Sequence, residues 1–154
     1  MRLAIGGDHL AVTLKEEIMA HVRELGHTPV DFGVFSDQPS DYPYIAEKAA
    51  LAVARGDCDM GLLFCGTGLG MMLAANKVRG VRCAACSDCY SAAMARRHND
   101  ANMLALGARV LGSGLARLLV DTFLSTAFEG GRHAARVALI MELENRSLEG
   151  DMHE

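Results

Sequence analysis

Tryptophan is absent from the 154 residues, aromatic side chains make up 5% of them, and there are only three prolines. That paucity of chain breakers, beside 51% hydrophobic and 22% charged residues, excludes a disordered or low-complexity segment and implies one globular domain. Long apolar runs are missing as well. None approaches the ~20 residues that span a bilayer, and the stretch Met1-Arg2-Leu3-Ala4-Ile5-Gly6-Gly7-Asp8 turns polar too early for a secretory leader. A basic excess is missing too: 15 Lys+Arg against 19 Asp+Glu give a formal charge of -4. A nucleic acid or an anionic membrane is therefore excluded as the main partner, and any anion site must be local. The five cysteines are an odd number in a chain long enough to bury roughly 70% of its unfolded surface. It needs no staples, so reduced thiols and a cytoplasmic location are expected.

What is present is an alternation of two periodicities. Short β-favouring apolar runs at 2–6, 28–32, 60–64, 81–86 and 103–107 are separated by stretches with helical spacing at 11–25, 41–56, 68–77, 88–98 and 114–125. A last helix is expected over 132–145, carrying Val137, Ile140 and Met141, so that the domain covers 1–147 and an acidic tail, 148–154, frays. Strict βα alternation with short connections implies an α/β, three-layer, Rossmann-like domain: a five-stranded parallel sheet covered by helices on both faces, with a C-terminal helix. The expected strand order is 2-1-3-4-5, which sets the ends of strands 1 and 3 side by side where the winding reverses and where ligands bind.

Two polar clusters fall at those strand ends. The first is Gly6-Gly7-Asp8-His9, and the second is Phe64-Cys65-Gly66-Thr67-Gly68-Leu69-Gly70. Glycines there permit a tight turn whose N–H groups hold a phosphate or a developing oxyanion. Such a site is expected to lower the Cys65 thiol from about 8.5 toward neutrality, which suits proton transfer or nucleophilic attack. The bland alternatives are a small buried cysteine and an Asp8 that only caps the next helix. A dinucleotide fingerprint is excluded because Met71 stands where the third glycine belongs.

Cys83, Cys86 and Cys89 form a C-x2-C-x2-C run, but the further Cys-Pro that an iron–sulfur motif needs is absent. They are expected to be inert packing, with no metal. His98-Asn99-Asp100 closes a helix, where a histidine complements the dipole or does chemistry. In Glu129-Gly130-Gly131-Arg132-His133-Ala134-Ala135-Arg136, Arg132 and Arg136 are four apart on one helix face, an arrangement suited to a phosphate or to a solvated basic face. Without a P-loop lysine or an acidic Mg²⁺ cluster, phosphoryl transfer has no machinery. Acid–base chemistry on a small phosphorylated metabolite fits better.

Taken together, Gly6-Gly7-Asp8-His9, Asp41-Tyr42-Pro43, Cys65 to Gly70, Ala75-Asn76-Lys77, His98-Asn99-Asp100, Gly130-Gly131-Arg132-His133 and Arg136 resemble the B-type ribose-5-phosphate isomerase family. That family also includes allose-, galactose- and tetrose-phosphate isomerases. The resemblance implies a cofactor-free, metal-free aldose–ketose isomerisation through a cis-enediolate. It implies that Cys65 is the base, that Thr67 moves protons between the oxygens, that His98 opens the sugar ring and that Asp8 orients the sugar. It assigns His9, Arg132 and Arg136 to the phosphate, the amides of Gly66, Gly68 and Gly70 to the enediolate, and Tyr42, Asn99 and Arg109 to the pocket lining. One branch uses a glutamate six residues after the cysteine position; Met71 places this chain in the cysteine branch. The resemblance further implies a homodimer, or a dimer of dimers, whose sites draw on both subunits. Ribose 5-phosphate is the leading substrate, four- and six-carbon sugar phosphates stay open, and the reading from another class is a non-catalytic sugar-phosphate-binding subunit.

Overall fold

The computed structural model describes residues 1–36 and 38–146; the expected acidic tail lies outside them. Among the described residues five strands alternate with five helices, and a sixth helix follows the fifth directly: β1 (Arg2–Gly7), α1 (Val12–Glu24), β2 (Thr28–Asp31), α2 (Tyr42–Ala54), β3 (Met60–Cys65), α3 (Leu69–Ala75), β4 (Cys83–Ala85), α4 (Cys89–Asn99), β5 (Met103–Gly107), α5 (Ser113–Ser125) and α6 (Arg132–Leu143). All strand pairs are parallel. Among the described residues no helix is long and apolar enough to cross a membrane.

Alternation along the central strands sorts their side chains into two cores. Leu3, Ile5, Leu62, Phe64, Leu104 and Leu106 meet Ile18 and Val22 of α1, Ala92 and Ala95 of α4, and Leu119, Val120 and Phe123 of α5. On the opposite face Ala4, Leu63, Cys65, Met103 and Ala105 meet Ala46, Ala49, Ala50 and Val53 of α2, and Met71 and Ala75 of α3. Burial on both faces is why these strands read as continuous apolar runs. The alanines of α2 let that helix sit close to the sheet: a Cβ at Gly6 would come within 3.1 Å of both Ile45 and Leu63.

The strand order is β2-β1-β3-β5-β4, which corrects the expected 2-1-3-4-5. β5 is buried along all five residues and pairs with β3 from Gly61↔Met103 to Cys65↔Gly107. β4 has only three residues, two of them part-exposed, and reaches Met103 to Ala105 alone. The longer, wholly apolar strand takes the interior, and the short one the edge, where a brief strand offers little unpaired backbone. The reversal of winding between β1 and β3 survives the correction, because those two strands are neighbours in either order.

Helix ends follow local chemistry. Asp88 caps α4, its side chain accepting from the Ser91 N–H at 2.7 Å. Asp41 stands at the N-cap of α2 but makes no side-chain bond there. Gly68 precedes α3 at φ 82°, a left-handed conformation that a residue with a Cβ adopts only under strain, so α3 starts one residue later than its apolar pattern implies.

Candidate active site

Cys65 ends β3 at the winding reversal and is 5% exposed. The Gly68 N–H donates to its Sγ at 3.1 Å, which turns the Gly66-Thr67-Gly68 loop back over the sulfur. The Cys65 and Gly66 carbonyls accept from the N–H groups of Ala108 (2.8 Å) and Arg109 (3.0 Å), so the loop is tied to the end of β5. Thr67 is exposed, and its Oγ1 accepts from the Leu69 N–H at 3.3 Å. Gly107 makes this approach possible, since a Cβ there would lie 2.8 Å from the Thr67 carbonyl.

Asp8 leaves β1 beside the same loop, its N–H donating to the Phe64 carbonyl at 3.0 Å. It is 4% exposed, and its Oδ1 accepts from the Leu10 N–H at 2.9 Å. That bond closes the β1–α1 turn; the N-cap of α1 is Ala11, so Asp8 is not the cap. His9 Nδ1 lies 3.5 Å from Ser40 Oγ. Tyr42 packs its ring on Gly70, where a Cβ would come within 2.7 Å of the ring, and the Arg109 side chain lies beside Gly66. Asp8, His9, Tyr42, Cys65, Gly66, Thr67, Gly68, Gly70 and Arg109 thus gather at the strand C-terminal ends. Next to them a cleft of about 260 Å³ is lined by Thr67, Leu69, Ala85, Cys86, Ser87, Gly107 and Val110.

The other candidates gather at the opposite end of the sheet. α4 starts above β4 and runs back down, so His98 and Asn99 in its last turn lie where β5 begins. The Asp100 carbonyl accepts from Arg82 Nη2 at 2.7 Å, and Asn102 accepts from the Gly61 N–H at 3.0 Å. β5 alone separates that level from Cys65 by roughly 13 Å, at ~3.3 Å per residue. α6 crosses this lower end, with the Glu144 carboxylate accepting from the Gly80 N–H at 3.1 Å. Arg132 and Arg136 are exposed on it, and neither pairs with a carboxylate among the described residues. One chain therefore holds its candidate residues in two clusters, two candidate half-sites, and the structure does not bring His98, Asn99, Arg132 or Arg136 to its own Cys65.

The lower half-site contains two groups to which sequence reasoning gave no role. His98 and His133 stack with ring centroids 4.0 Å apart and planes 6° from parallel. Glu129 Oε2 lies 3.7 Å from His98 Nε2 and 3.6 Å from His133 Nε2, while Glu129 Oε1 accepts from Arg97 Nε at 2.6 Å. Burial pushes the pKa of His133 below the ordinary histidine value; His98, Arg132 and Arg136 act in the same direction and Glu129 opposes them. The i, i+4 spacing of Glu129 and His133 was the available signal, but the partner His98 lies 31 positions earlier in the chain. Donor atoms of these three residues lie within 4.8 Å of one another. Parallel rings direct their in-plane lone pairs side by side rather than at one centre, and Arg97 already holds one of the two carboxylate oxygens, so the set suits a proton better than a tetrahedral cation.

All five cysteines are free. Burial raises Cys83 to about 12 and Cys86 to about 11, with Cys86 and Asp88 respectively adding to the effect. Because the thiolate is the reactive form, brief iodoacetamide treatment of the folded protein at pH 8 is expected to leave Cys83 and Cys86 unmodified. Peptide mass spectrometry checks this, and carboxamidomethylation of either would contradict their role as packing.

The Ribose/Galactose Isomerase family pattern matches residues 3–140. The ribose-5-phosphate isomerase B of Escherichia coli (strain K12) is 48% identical over 145 residues, 94% of this chain and 97% of that relative. The solved structure of Clostridium thermocellum ribose-5-phosphate isomerase B is similar with a TM-score of 0.93 and 50% identity, covering 94% of this chain and 98% of that one. The Mycoplasma genitalium ribose-5-phosphate isomerase B, solved with bound ribulose-5-phosphate, has a TM-score of 0.90 and 39% identity over 95% of this chain and 97% of its own. Matched along most of its length by pattern, sequence and fold, the chain belongs to the Ribose/Galactose Isomerase family.

Proposed function

We propose that this protein is an aldose–ketose isomerase that interconverts ribose 5-phosphate and ribulose 5-phosphate. The observation that carries the reading is the Cys65 thiol, fixed at the β1–β3 reversal by the Gly68 N–H, in a chain 48% identical to a ribose-5-phosphate isomerase B. Cys65 takes the proton from C2 of the open-chain aldose, leaving a cis-enediolate, and returns it to C1 to give the ketose. Thr67 Oγ1 carries the proton between O1 and O2. The N–H groups of the Gly66 to Gly70 loop, where the Gly68 N–H addresses Cys65 Sγ and the Leu69 N–H addresses Thr67 Oγ1 before substrate binds, stabilise the charged oxygen, a role that supplies several kcal/mol in such sites. Asp8 orients the sugar, Tyr42, Asn99 and Arg109 bound it, His9, Arg132 and Arg136 hold the phosphate, and His98 opens the ring.

Because the two half-sites lie at opposite ends of one sheet, the working unit is a homodimer in which His98, Asn99, Arg132 and Arg136 of one copy meet Cys65 of the other. Support comes from α6, which buries only His133 in its own chain while leaving Leu139, Ile140 and Leu143 at 56%, 43% and 60% exposure; such an apolar face favours association. The enzyme acts in the cytoplasm, where its thiols stay reduced.

A proton-NMR time course in D2O tests the assignment, with ribose 5-phosphate, allose 6-phosphate, galactose 6-phosphate and erythrose 4-phosphate as parallel samples. Ribose 5-phosphate is expected to convert fastest, with deuterium entering beside the carbonyl. Faster turnover of another sugar would reassign the substrate, and silence across the panel would leave a sugar-phosphate-binding subunit.

A further inference from the structure

We propose that Glu129 is a positioning residue that orients His98, together with its stacked partner His133, for the ring-opening step. The inference rests on the isomerase reading above and concerns a group for which that reading has no use. In ring opening the anomeric hydroxyl at C1 loses a proton, the C1–O4 bond breaks and O4 gains a proton, so no co-reactant is consumed. The group that performs this exchange must present one ring nitrogen as a base, in a fixed tautomer and at a fixed angle.

An imidazole in the exposed last turn of a helix has no such constraint of its own. Three contacts supply it here. The 4.0 Å stack with His133 limits rotation of the His98 ring. His133 is itself 7% exposed and is anchored because its N–H donates to the Gly130 carbonyl at 3.0 Å. Glu129 stands beside Nε2 of both rings at ion-pair distance, 3.7 and 3.6 Å. A carboxylate next to Nε2 favours the proton there and leaves Nδ1 as the basic face, as carboxylates do for histidines in metal and hydrolase sites.

The carboxylate is itself held in place. Arg97 Nε donates to Oε1 at 2.6 Å, and the Glu129 N–H donates to the Arg97 carbonyl at 3.0 Å, so residue 129 is tied to α4 by side chain and backbone. The charges around the pair are Arg97 on α4, Glu129 before α6, and Arg132 and Arg136 on α6. Asp100, also close in sequence, is taken up by Arg82 and Arg96. Glu129 is thus the one negative group among the described residues facing two imidazoles and three guanidiniums. Without it, a proton on either ring would have no counter-charge at contact distance.

Ribulose 5-phosphate separates this role from the proton transfer at carbon. Its ketone is at C2 and its C5 hydroxyl is phosphorylated, so it has no furanose form, and deuterium exchange at its C1 needs the carbon base but no ring opening. In Glu129→Gln, conversion of ribose 5-phosphate is expected to fall about tenfold or more, while exchange into ribulose 5-phosphate stays within about twofold and Glu129→Asp recovers part of the loss. Nitrogen-15 shifts of the imidazoles, assigned with His98→Asn and His133→Asn, are expected to show the Nε2–H form of His98 in the wild type and a mixture in Glu129→Gln. Equal losses in conversion and exchange, or no loss in either, would overturn the inference. If the wild type catalyses neither reaction, the isomerase reading fails separately, and an unchanged His98 tautomer in Glu129→Gln would still overturn the positioning role. A melting curve establishes folding, and Glu129→Asp carries the same comparisons should the glutamine variant not fold.

Discussion

Replacing Cys65 by alanine or serine is expected to lower turnover by roughly 10² or more, the scale of a lost general base, while phosphate binding persists. The expectation follows from where the sulfur sits. It is the titratable atom at the end of β3, in a loop whose amide already addresses it, and Arg132 and Arg136, the arginines proposed to hold the phosphate, lie at the other end of the sheet. Serine preserves an acceptor for the Gly68 N–H but is a far weaker base at neutral pH. Cys65→Ser is therefore expected to melt close to the wild type and to lose activity as fully as Cys65→Ala, in which a buried donor is left unpaired at a cost of about 1–3 kcal/mol. Steady-state kinetics, with the dissociation constant of ribulose 5-phosphate measured separately, provide the check. A serine variant with near-full turnover would remove Cys65 from the mechanism and return it to the role of a small buried hydrophobe.

Mixing Cys65→Ala with His98→Asn is expected to restore activity that neither variant has alone. If each site combines Cys65 of one subunit with His98 of the other, a mixed dimer contains one site with both groups intact and one with neither. Random reassortment makes half the dimers mixed, so about one quarter of the sites recover. If instead both groups served within one chain, every site of the mixed dimer would lack one of them and the mixture would stay inactive. The geometry favours the first outcome: the full packed length of the sheet separates His98, level with the start of β5, from Cys65 at the end of β3. Assays on the separate variants and on the mixture, after dissociation and reassembly or after co-expression, decide between them.

Sequence by itself determined the elements that depend on local periodicity. The strand at 103–107 and the helices around 12–24 and 42–54 are visible because apolar side chains recur at the spacing of a single secondary structure. Likewise, Gly66-Thr67-Gly68 after an apolar run announces a turn at a strand end, which marks Cys65 and, through the adjacency of β1 and β3, Asp8 as candidates, while their roles come from the family resemblance. Only the tertiary structure placed β5 inside β4, because that choice turns on which strand loses more by standing at the edge: five buried residues against three. Likewise, only the folded chain showed that the two clusters of candidate residues lie at opposite ends of the sheet, since helices antiparallel to the strands carry residues near in sequence to opposite poles. The stack of His98 on His133 with Glu129 beside both joins a helix end to a loop some thirty residues later. No local pattern encodes that distance; it arises from the packing of α6 on α4.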